Sequence, residues 1–195
     1  MSFWKSIRIV DTNNRVAAVD SMTNTIQTID YAHHEVHEGD SFVGGYAMAT
    51  AVAAALIVAW KTPAGTKRIH VVPEWITESK AHVSFLEGCT WNTGTGSALT
   101  PINRNRGSAN ESIVLGDSTG AFVANKMVKD PTGLAGGTAI GANYTWSEKK
   151  VGSSARSVAE FVLKPDTLYA FSHTSDDGNK GAIIRLSWYE HTDSN

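Results

Sequence analysis

The chain has 195 residues, enough for one domain to bury a core without covalent staples. With 17 basic residues against 19 acidic ones the formal charge is −2, so the basic excess that phosphate contacts demand is missing and no nucleic-acid partner is expected. A single cysteine, Cys89, excludes an intrachain disulfide and suits folding in a reducing cytoplasm, where it is expected to be packed rather than reactive.

The opening MSFWKSIRIVDTNNR has neither a charged leader with an apolar centre nor a small-residue cleavage site. No secretory leader is expected, and residues 1–25 read as an N-terminal arm carrying Trp4. Beyond it, apolar residues seldom recur at helical spacing. Short runs of Val, Ile, Phe, Tyr, Trp and Thr alternate with Gly, Asn, Asp, Ser and Pro, the rhythm of an all-β sandwich or barrel. Strands are expected at 26–37, 41–48, 55–60, 67–72, 81–87, 121–126, 157–163, 167–173 and 182–189, within a single domain over 1–195. Residues 44–60 are uncharged, but they are short for a membrane span, centred on alanine and β-branched towards the end, so a strand or a small-residue packing surface is predicted and no membrane association. The only helix expected is a turn or two within 48–55.

Pro63 and Gly65 predict a tight turn that pairs the apolar runs on either side of it. Pro165 predicts a second hairpin, in SVAEFVLKPDTLYAFSHTS. Residues 91–120 and 131–138 are rich in Gly, Ser, Thr and Asn and read as long loops. In AIIRLSWYE, the set Ile184, Leu186 and Trp188 is expected inside and Arg185, Ser187 and Tyr189 outside.

Chemistry-bearing motifs are few. Residues 32–40, AHHEVHEGD, lack the two-spacer His-Glu-x-x-His pattern of zinc proteases. On a strand, His33, Glu35 and His37 would share one face, and a metal-dependent hydrolase built on them is one reading. The favoured reading is a polar strand edge at a subunit contact, with no metal. No serine lies in a Gly-x-Ser-x-Gly elbow and no Gly-rich stretch has phosphate-loop spacing, so neither catalytic residues nor a cofactor are expected. Asn103, Arg104, Asn105 and Arg106 place two guanidiniums on a loop, suited to bidentate contact with carboxylates or phosphates. Among six tryptophans, Trp4 and Trp91 sit farthest from apolar runs, which leaves carbohydrate stacking on them as a further reading.

Three segments in order, YAHHEVHEGDSFV, ALTPINRNRGSAN, and LKPDTLYAFSHTS followed by RLSWYEHTD, resemble a group of tailed-bacteriophage virion structural proteins, over roughly residues 29–193. The resemblance implies a β-sandwich or jelly-roll body of the kind that capsid decoration and cement proteins use. It further implies a virion location after assembly in the host cytoplasm, with the major capsid protein or other virion proteins as partners. A dimeric or trimeric cement subunit is the leading expectation, with Asn103–Arg106, His33, Glu35, His37 and Trp4 at contacts; a tail, neck or fibre-associated subunit is the alternative.

Overall fold

The computed structural model describes residues 31–51, 55–145, 151–152, 160–176 and 180–192. Trp4, the expected 1–25 arm and Trp146 lie outside these residues. Two antiparallel sheets pack face to face. The first runs β11 (Val151–Gly152), β3 (Lys67–Thr77), β14 (Lys180–Thr192), β1 (Ser41–Ala51) and β6 (Ile102–Asn103), with β12 (Phe161–Val162) also on β3. The second runs β10 (Ala135–Thr145), β4 (Ala81–Thr90), β13 (Leu168–Ser175), β2 (Leu56–Lys61), β7 (Leu115–Gly116) and β8 (Val123–Ala124). Beside β2 lies β9 (Met127–Lys129), which carries β5 (Ser97–Leu99).

Pairing is nested. Leaving aside the short strands of 97–129, the first strand pairs the last (β1 with β14), the second the last but one (β2 with β13), β3 pairs β11 and β12, and β4 pairs β10. That wrapping is a jelly roll, so the chain is an all-β sandwich as expected. Period-two alternation builds the core: Ala182, Ile184, Leu186 and Trp188 from β14 and Phe42 from β1 meet Leu56, Val58, Trp60, Val83, Phe85, Tyr169 and Phe171 from the other sheet. Trp60 stacks on Phe85 (5.8 Å) and on Tyr169 (5.9 Å), which also lie 5.8 Å from each other. Behind the second sheet, Ala59, Cys89, Trp91 and Ala170 form a smaller cluster. Strand β2 is therefore buried on both sides, which explains its unbroken apolar run.

Several expectations are corrected. The stretch 26–37 is not a strand where it is described: Tyr31–Glu38 is α1, a helix of 8 residues. Val36 is the only strongly apolar side chain between His33 and Glu38, too few for a buried strand face. The helix foreseen within 48–55 is not seen in the described part, since residues 48–51 belong to β1. The two Pro-containing turns are real, but neither closes a hairpin. Each carries the chain between sheets, β2 to β3 and β12 to β13, and the two corners lie side by side, Thr62 Oγ1 donating to Lys164 O at 2.6 Å and Thr62 N to Thr167 O at 3.0 Å.

The Gly-rich loop predicted at 131–138 instead opens β10 at Ala135. It is an edge strand with exposed residues, and Gly136 and Gly137 take φ of +66° and +86°, so no alternation marks it. The long 91–120 loop contains β5, β6 and β7 and visits both sheets, covering the β1 and β2 edges. Ser187 and Tyr189, expected outside, are buried; Tyr189 stacks on His70 at 4.6 Å and donates to Glu160 at 2.6 Å.

Candidate functional site

The two segments singled out for contacts meet in space. Helix α1 ends at Gly39, whose φ of +83° lets Asp40 N donate back to Glu35 O (2.9 Å) and Gly39 N to Val36 O (3.2 Å). The carbonyls left over are taken by asparagine amides from the central segment. Asn105 Nδ2 donates to His37 O (3.0 Å), Asn110 Nδ2 to Glu38 O (3.4 Å), and Asn103 Nδ2 to Gly39 O (2.7 Å). Asn103 is nearly buried and also holds Asn110 O and Asn105 N, so its role is to fasten helix to loop. Arg104 N bonds Ser41 O while its side chain is exposed beside Ser41, and the Arg106 guanidinium reaches Asn103 O.

The expected sharing of a face by His33, Glu35 and His37 does not occur. A strand would align alternate residues, whereas helical spacing aligns every fourth. His33 and His37 therefore stack on the exposed side, with Nε2 atoms 2.9 Å apart, and Glu35 turns inward to become buried. On another stripe His34 approaches Glu38 at 3.3 Å.

A larger feature went unread in the sequence. The outer face of the β6–β1–β14–β3 sheet carries Ile102, Val43, Ser187 and Val72 in one cross-strand row, the last two of them buried, and Ala47, Ile183 and Ile76 in another. Val162 stands beside His70 on β12. Four of the six exposed large apolar residues among the described residues, Ile76, Ile102, Val162 and Ile183, lie on this face. Two shallow hollows of about 320 and 410 Å³ adjoin there, both lined by Ala47 and Ile183. A side chain at Gly45 would collide with Ile184 O and approach Arg185 Cα to 2.8 Å, which keeps the strand flat against its neighbour. Between the two rows, Arg185 pairs with Glu74 at 3.6 Å. The available signal was Ile183, an isoleucine in a slot where alternation calls for a polar residue.

Above the same sheet, towards the start of β3, Glu160 Oε1 lies 2.9 Å from His70 Nδ1, and His70 Nε2 lies 2.7 Å from His191 Nε2. Among the described residues no three His, Cys, Asp or Glu side chains are grouped to hold a metal ion. Trp91 is no stacking platform: it is buried, and its Nε1 donates to Asp117 at 2.8 Å. Cys89 is enclosed, and burial pushes its thiol up to about 11, away from reactivity. No helix among the described residues is long and apolar enough to cross a membrane. No family model, no curated protein and no solved structure matches the chain.

Proposed function

We propose that this protein is a structural virion component of a tailed phage, a decoration or cement subunit that docks on the major capsid shell. The observation that carries the reading is the outer face of the β6–β1–β14–β3 sheet, where large apolar side chains stay exposed while the inner face packs on the second sheet. Exposed large apolar side chains gathered on one face mark association with other proteins. It suits adhesion rather than turnover, because its hollows are shallow and lined chiefly by apolar side chains and glycine. The three ordered segments that resemble phage virion proteins supply the choice of partner. The burial of Trp91 takes away one of the two platforms on which a carbohydrate-binding reading would rest.

The test is sedimentation of the purified protein with undecorated capsids. Saturable binding that raises the heat resistance of the shell is expected, with Ile183→Asp and Ile76→Asp binding at least about tenfold more weakly, as for loss of a central interface contact. Both positions are exposed, so the variants should fold, and far-ultraviolet circular dichroism verifies that they do. Absence of capsid affinity at micromolar concentration refutes the proposal. A copy number of six or twelve per particle, rather than hundreds, would move the subunit to the neck or tail.

A further inference from the structure

We propose that His33 and His37 form a two-point chelate for a divalent transition metal that favours right-angled coordination, of the Ni²⁺ or Cu²⁺ kind. The two imidazoles lie four residues apart on α1, the helical spacing that brings paired histidines onto one metal. Their Nε2 atoms are 2.9 Å apart and the rings are nearly parallel, at 17°. With metal–nitrogen bonds of about 2.0–2.1 Å, that separation closes an N–metal–N angle of about 90°, the octahedral or tetragonal value, whereas a tetrahedral ion needs a wider bite. In the metal-free protein one ring donates its Nε2 proton to the other. On chelation that proton moves to Nδ1, and both Nε2 lone pairs face the ion.

The support is preorganised. An isolated helix of eight residues would fray in water. Here Glu35 is buried on its inner side, Gly39 closes its end, and Asn103, Asn105 and Asn110 hold its last carbonyls and the following glycine. Asn105 and Asn103 are thus positioning residues for the histidine pair. The remaining coordination positions would be filled by water or by a donor from a neighbouring subunit. Glu35 takes no part, and this site does not depend on the capsid proposal.

The experiment is calorimetric titration of the untagged full chain with Ni²⁺, together with thermal melts at several Ni²⁺ concentrations. One ion per chain is expected, with a melting midpoint that climbs with Ni²⁺ because the folded state alone presents the pair. His33→Ala and His37→Ala should each weaken binding by more than the roughly tenfold that even an outer-shell partner is worth, and should abolish the climb. His34→Ala, on another stripe of the helix, should leave both readouts unchanged. No saturable binding at 100-fold excess Ni²⁺ overturns the proposal. So does binding that persists in His37→Ala and disappears in His191→Ala, which would assign the ion to the His70–His191 pair.

Discussion

His173 offers the sharpest test of the packing described above. Its ring is fully enclosed on the inner face of β13, opposite Leu56 of β2 and Val83 of β4, and neither ring nitrogen has a hydrogen-bond partner among the described residues. Burial holds its pKa below the ordinary histidine value. The unfolded chain takes up this proton near pH 6.5, the folded chain resists it, and so stability falls as the pH drops through the unfolded value. If the ring stays neutral throughout, the loss from pH 7.5 to 5.0 reaches its ceiling of about 2 kcal/mol. His173→Leu, close in volume, removes both this slope and two unsatisfied nitrogens, each of which costs about 1–3 kcal/mol to bury. Urea denaturation of both proteins at pH 7.5, 6.0 and 5.0 is the assay. The variant is expected to match or exceed the parent at pH 7.5 and to gain on it steadily towards pH 5.0. Other groups titrate in this window, so the difference between the two proteins is what is read. A constant difference at all three pH values refutes the argument.

Glu190 is fully buried and accepts from Trp188 Nε1 (2.9 Å), Ser112 Oγ (2.6 Å) and Ile113 N (3.1 Å). Glu190→Ala should cost about 3 kcal/mol in urea denaturation by leaving those donors unpaired, and Glu190→Gln clearly less. Burial raises the Glu190 pKa, so its contribution is full below the ordinary carboxylate range and is lost as pH rises through the folded value; Glu190→Gln should remove that dependence. Gly39→Ala places a methyl in the left-handed region and 2.7 Å from Ser108 Cβ. The melting midpoint should fall by more than the backbone strain of about 1–2 kcal/mol alone would cause, and adding Ser108→Gly should recover the excess. Asn103→Ala should destabilise by about 2 kcal/mol, whereas Arg104→Ala and Arg106→Ala should stay within about 0.5 kcal/mol in the same denaturation assay.

The class of fold was legible because burial on one face writes itself as alternation. The period of two is plainest in β14, where Ala182, Ile184, Leu186 and Trp188 all point inward. Pairing was not legible. Thr62 and Thr167 hydrogen-bond across 105 positions, and no local pattern distinguishes a corner between sheets from a hairpin within one. Helix α1 was missed because its stability comes from afar: the Asn-rich segment that caps it lies far along the chain, Asn103 reaching Gly39 across 64 positions. The same distance hides from the sequence that Asn103 and Asn105, which stand out there as a polar cluster, hold the end of the helix. The outer face escaped because its apolar residues come from several strands, one or two from each.

The nested wrapping also governs how the molecule can assemble itself. Strand β14 is made after every other described strand, yet it lies between β1 and β3, its Tyr189 opposite both Ser41 and His70, and no other described strand bridges those two. Most close approaches in the structure join positions far apart in the chain, the topology of slow folders. During synthesis, β1 and β3 must therefore wait with open edges until β14 leaves the ribosome. Misfolding during that interval, rather than weakness of the finished sandwich, should set the yield of soluble protein.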